Sequence, residues 1–110
     1  MNNVAYRYAQ EIRQARRSLA QGDYPESFAH LERAHILGQR STWRHTYAHW
    51  LMFRAGLQQR DFTEVLGQVP RILASMLFSR IWVPRGNTGR ARVSAMKPMP
   101  IPGDLRHLDL

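Results

Sequence analysis

The sequence contains no cysteine. Disulfide scaffolds, thiolate zinc sites, cysteine-ligated clusters and thiol catalysis are thereby excluded. It has a single lysine, Lys97, so fifteen of its sixteen basic residues are arginine. Acidic residues are scarce beside them: eight, which leaves a formal charge of +8 and a pI near 11.3. No apolar run approaches the length needed to cross a bilayer. The opening Met1-Asn2-Asn3 is not a basic stretch leading into an apolar one, so a cytoplasmic protein with no membrane association is expected. A glycine-rich phosphate loop ending in Lys-Ser/Thr is missing, and so is a Gly-x-Ser-x-Gly nucleophile elbow.

What remains is sufficient for one domain. A chain of 110 residues, 44% apolar and 22% charged, has ordinary globular composition and room for a single core. The basic excess makes nucleic acid a candidate partner, because guanidinium suits bidentate phosphate contacts. The arginines are spread from Arg7 to Arg106 rather than gathered in one run, so charge alone does not assign that role.

The first eighty residues carry the helical period. Val4, Tyr8, Ile12, Ala15 and Leu19 form one stripe, and Gly22 follows where a left-handed helix end is easily adopted. Asp23 stands three residues before Glu26, with Pro25 in the first turn, which is capping-box spacing for a second helix running to about Leu37 and ended by Gly38. Ser41 or Thr42 caps a third helix, Trp43 to about Gln59. Asp61 and Glu64 repeat the cap spacing and open a fourth, in which Pro70 predicts a kink or break near Gln68. The last thirty residues differ. Pro84-Arg85-Gly86-Asn87-Thr88-Gly89 is turn chemistry, and Pro98, Pro100 and Pro102 alternate through a stretch that cannot be helical. Met96, Met99, Ile101, Leu105 and Leu108 give this tail apolar contacts to make. The expected organisation is an all-α domain of four helices in two hairpins over residues 1–80, with an extended proline-rich tail over 81–110 packed on the helices.

The two Asp cap sites are thirty-eight residues apart, within the about 34–47-residue period of helix-hairpin repeats. The first unit resembles a tetratricopeptide repeat: Gly22-Asp23-Tyr24 at the turn, small Ser27 and Ala15, and Leu31 and Ala34 at packing positions. Two units are too few for a solenoid, so a pair of hairpins closing on each other is expected. Taken whole, the chain resembles a small bacterial family catalogued as domain of unknown function 3703. The resemblance rests on Leu31-Glu32-Arg33-Ala34-His35-Ile36-Leu37-Gly38-Gln39, on His45 and His49, on Gly86-Asn87-Thr88-Gly89 and on Lys97-Pro98-Met99-Pro100-Ile101-Pro102. It implies membership of that family and no mechanism.

Histidine and glutamate are few, five and four residues, so their placement is informative. Glu32 and His35 share a face of the second helix by their three-residue spacing, and His45 and His49 share a face of the third. If the turns centre near residues 22 and 40, Glu11, Glu32, His35, His45 and His49 lie at one level of the bundle. Imidazoles and carboxylates on facing helices are how bundles build metal sites. One Glu-x-x-His pair is too few for a symmetrical di-iron centre. A single zinc, iron or nickel ion is one reading of the group, a buried hydrogen-bond network is another, and acid–base catalysis is a third. Trp43, Tyr47, Trp50 and Arg54 form a separate stripe on the third helix, of the composition favoured at interfaces, and mark a candidate surface for a protein partner or a second copy. With no catalytic set complete, three functions are carried forward: a non-enzymatic helical interaction module, a metal-binding protein, and a nucleic-acid-binding protein.

Overall fold

The computed structural model describes residues 3–108 and 110. They form four helices, α1 (Asn3–Ala20), α2 (Tyr24–Gly38), α3 (Thr42–Gln59) and α4 (Phe62–Phe78), and then an extended segment with one 3₁₀ turn at Gly103–Leu105. No strand occurs among the described residues. The fold is all-α, with α1 packed on α2, α3 on α4, and the two hairpins joined through α2 and α3.

The two hairpin turns are built alike. Gly22, at φ +75°, ends α1, and Asp23 N–H donates to the Ser18 carbonyl five residues back at 2.9 Å. At the second turn Arg60 takes the same left-handed conformation, φ 60°, and Asp61 N–H reaches the Gly56 carbonyl at 2.9 Å. These six-to-one bonds satisfy the orphan carbonyls of a helix end. Each aspartate then caps the next helix, Asp23 accepting from Glu26 N–H and Asp61 from Glu64 N–H. Neither glutamate completes the box. Glu26 turns to His30, and Glu64 turns into the protein.

Gly38 is the last residue of α2, as expected, and it ends the helix without a positive φ. It is a close-approach glycine: a Cβ there would lie 2.9 Å from Arg44 Cβ and 3.0 Å from the Tyr8 ring, so its bareness lets α1 and α3 converge on the end of α2. One expectation is altered: Pro70 does not break α4, which runs continuously from Phe62 to Phe78. Pro70 and Leu66 both lie on the exposed side, where the carbonyl freed by the missing amide meets water rather than a dry interior.

The core is drawn from α1, α2 and α3, centred on Leu31, Leu51, Met52 and Ala34, and it is closed by the C-terminal segment through Leu105 and Leu110. That segment is also tied electrostatically, by Arg33 to Asp104 at 2.5 Å and by Arg92 to Asp61 at 2.8 Å. Its first loop folds around Asn87, whose Nδ2 donates to the Ser94 and Lys97 carbonyls at 2.8 and 2.7 Å. Gly86, at φ +79°, is required there because a Cβ would strike the Met99 carbonyl. The loop is thereby held against α2 and α4, where it completes the site described next.

Candidate metal centre

Three buried histidines meet at one point. His35 comes from the last turn of α2, and His45 and His49 from successive turns of α3. Their Nε2 atoms form a nearly equilateral triangle: 3.1 Å from His35 to His49, 3.0 Å from His45 to His35, and 3.1 Å from His49 to His45.

The outer nitrogens decide what this triangle is. His35 Nδ1 lies 2.7 Å from the Asn87 carbonyl oxygen, which can only accept. His49 Nδ1 lies 2.6 Å from Gln68 Oε1. The Gln68 amide is oriented by its other end, because Nε2 donates to Glu64 Oε2 at 2.6 Å and to the Gly89 carbonyl at 2.9 Å. His45 Nδ1 lies 2.8 Å from Ser79 Oγ, whose own proton goes to the Ser75 carbonyl, so the hydroxyl accepts from the ring. Each Nδ1 is therefore the protonated nitrogen. Each Nε2 is left as a bare lone pair, and three lone pairs face one another at about 3 Å with no hydrogen between them.

Burial disfavours placing a proton in the triangle. Burial pushes the His45 pKa down to about 4, against the pull of the Gln39 backbone. Burial and the neighbouring His45 push His49 down to about 3, despite its bond to Gln68. His35 is driven down by burial, then by His49 and His45. The charged imidazolium is disfavoured because it would leave water for an apolar interior beside other rings and Arg71.

The orientation of the rings is secured in depth. Glu64 is fully buried and accepts from Arg90 Nε at 2.7 Å, from the Ala91 amide at 3.0 Å and from Gln68. A chain of Arg90, Glu64, Gln68 and His49 thus fixes one ring from three residues away. On the His35 side, Gly89 at φ +82° leaves no room for a side chain: a Cβ there would lie 2.6–2.9 Å from the imidazole.

The triangle opens on a cavity of ≈ 370 Å³. Phe78, Ile81, Trp82 and Met96 supply its apolar walls, and Arg71 stands among them. Arg71 donates to the Gly67 carbonyl at 2.8 Å and to those of Ala91 and Val93 at 3.4 and 2.8 Å, and it forms no ion pair among the described residues.

A model of the family described as a protein of unknown function, DUF3703, matches residues 2–108. The chain belongs to that family. No curated protein and no solved structure matches it.

The structure gathers His35, His45 and His49 and leaves both glutamates out. Glu11 accepts from Arg33 Nε at 3.1 Å and contacts His30 at 3.3 Å. Glu32 is held by Arg90 at 3.1 Å. Equal height along the bundle had placed these carboxylates beside the imidazoles, but Glu32 and His35 are about 60° apart around the helix axis, and an arginine captures each acid first. On α3, Trp43 and Arg54 project into solvent, Trp50 is half exposed and stacks on Phe53 at 5.6 Å, and Tyr47 packs partly against the core. Gln68, Ser79 and Arg71 carry no sequence signal of their own, and Glu64 carries only that of a helix start. Asn87 does carry one, since it lies in the Gly-Asn-Thr-Gly turn that two positive-φ glycines bracket.

Proposed function

We propose that this protein binds one divalent transition-metal ion, zinc above others, through the Nε2 atoms of His35, His45 and His49. The observation that carries the reading is the convergence of three lone pairs whose rings are each locked in the Nδ1–H form. Such an arrangement is repulsive by itself and becomes favourable around a cation. An ion about 1 Å out of the plane of the three nitrogens would be about 2.0–2.1 Å from each, the usual zinc–imidazole distance. A carbonyl, a glutamine and a serine behind the rings are the outer partners that ligating histidines require. Three neutral nitrogens with a fourth position toward a cavity is the pattern of an open site rather than a closed structural one. Bound there, zinc supplies a Lewis acid and lowers the pKa of a coordinated water toward about 7. Metal analysis and zinc titration calorimetry test the reading. One equivalent per chain, lost in His49→Ala, is the expected result. Absence of zinc uptake by the folded protein refutes it.

A second property, self-association, is supported by a different feature. Phe62, Leu66, Leu73, Met76 and Leu77 of α4 are all more than half exposed, and the two charged residues of that helix, Glu64 and Arg71, both turn inward. On a chain of formal charge +8, a charge-free apolar helix face is where two copies meet without cationic repulsion, in an isologous contact. Sedimentation should find a dimer that Leu73→Glu converts to a monomer. A monomeric parent protein overturns this.

A further inference from the structure

Resting on the metal reading, we propose that the site takes an amphipathic monoanion, an aromatic or medium-chain monocarboxylate, with its carboxylate on the metal and on Arg71 and its apolar body along the cavity wall. Charge comes first. The three imidazoles are neutral, so a divalent ion would keep its full charge, and Arg71 adds another within the same cavity. Arg71 lines the same cavity as His35, His45 and His49. Among the described residues no carboxylate forms an ion pair with Arg71. Both oxygens of Glu64 are already occupied by Arg90, Ala91 and Gln68. A cation partly withdrawn from water and without a counterion is costly, and a bound anion relieves the cost.

Hydrogen-bond capacity gives the same answer. The guanidinium has five N–H donors. Three are given to the Gly67, Ala91 and Val93 carbonyls, which brace the side chain from one side. Nε–H and one Nη1–H have no acceptor among the described residues. The other polar side chains around the cavity are committed internally. Gln39 spans the Pro84 carbonyl and the Gly86 amide, and Asn87 spans the Ser94 and Lys97 carbonyls and the Gly89 amide. The unspent polar capacity is therefore a metal position and two guanidinium donors, which suits a bidentate oxyanion. Ser75 and Ser79 spend their hydroxyl protons on the Ile72 and Ser75 carbonyls, and the larger side chains of the wall are apolar: Phe78, Ile81, Trp82, Val83 and Met96. A bare inorganic anion would leave those walls unused, and a neutral apolar molecule would leave Arg71 unanswered. The volume, ≈ 370 Å³, lies at the small end of the ligand-pocket range.

Cobalt(II) in place of zinc makes the site visible. The cobalt-loaded full chain would be titrated with benzoate, octanoate, acetate and benzyl alcohol, following the visible ligand-field bands and calorimetric heat. Benzoate and octanoate are expected to shift the bands and to bind at least tenfold more tightly than acetate, and benzyl alcohol to leave the bands unmoved. Arg71→Met should weaken benzoate at least tenfold while cobalt affinity stays within about threefold. Because Arg71 also braces the 91–93 loop, Ala95→Trp serves as a second probe. Ala95 lines the cavity and is itself neither ligating nor charged; filling space there should lose octanoate while keeping acetate. Failure to take up cobalt refutes the metal reading itself. Cobalt uptake with acetate and octanoate bound equally, or with benzoate binding indifferent to both substitutions, overturns the ligand assignment and leaves the metal site standing.

Discussion

Replacing Gln68 by methionine isolates the part of the site that lies behind the metal ligands. Gln68 is fully buried, and it is the link through which Glu64 orients His49. Methionine matches its length and is apolar, so packing is nearly conserved and the loss is polar. His49 Nδ1–H and the Gly89 carbonyl each lose their partner, while Glu64 keeps Arg90 and the Ala91 amide. An orphaned buried polar group costs about 1–3 kcal/mol. Two of them, offset by the gain from burying an apolar chain, make a net loss of about 3 kcal/mol. At about 4–8 °C per kcal/mol for a domain near this size, the melting temperature of the metal-free protein should fall by about 12–24 °C. The ring would also be free to turn and to exchange tautomers, and losing such an outer partner weakens metal binding by about 10–100-fold. Circular-dichroism melts measure the first effect, and zinc competition titration of the folded variant measures the second. Unchanged zinc affinity in a destabilised Gln68→Met protein would refute the claim that this relay prepares His49 as a ligand. An unchanged melting temperature would refute the hydrogen-bond accounting.

Further outcomes follow from neighbouring contacts. Gly89→Ala should cost more than tenfold in zinc affinity with helix content retained by far-ultraviolet circular dichroism, since the new methyl would meet the His35 ring at 2.6–2.9 Å. Arg90→Leu should destabilise by about 3–5 kcal/mol in urea denaturation, because it strands the fully buried Glu64 without its cation; adding Glu64→Gln should recover part of the loss. The metal-free protein should weaken in acid. The pKa values of His35, His45 and His49 lie below the ordinary 6.5, so the unfolded chain protonates first at these rings as pH falls. Stability is complete above about pH 6.5 and declines as pH drops toward about 4 for His45 and about 3 for His49, each ring contributing up to about 1.4 kcal/mol per pH unit. Urea midpoints at pH 7.5, 5.5 and 4.5 check the sign, and a flat profile would contradict burial of neutral imidazoles.

Local chemistry is what the sequence determined. The two Asp caps, the left-handed glycine at residue 22, the serine cap of α3 and the period of apolar residues are all short-range features, set within one or two turns of chain, and four helices follow from them. The pairing of His45 with His49 was legible for the same reason, since a four-residue spacing puts both on one face. Long-range geometry was decided only in the tertiary structure. Height along a bundle can be counted along the chain, but direction around a helix axis depends on which neighbour packs where, and so Glu11 and Glu32 went to Arg33 and Arg90 instead of to the imidazoles. Whether Pro70 interrupts α4 depended on which side of the helix faces water. Gly38 and Gly89 are glycines because of partners in other elements, Tyr8 and Arg44 for one and His35 for the other. Above all, the protonation state of the three histidines is written in none of them. It is imposed by a backbone carbonyl at Asn87, a hydroxyl at Ser79 and an amide at Gln68, which lie from nineteen to fifty-two residues away in sequence and meet the rings only when α4 and the C-terminal segment close over α2 and α3.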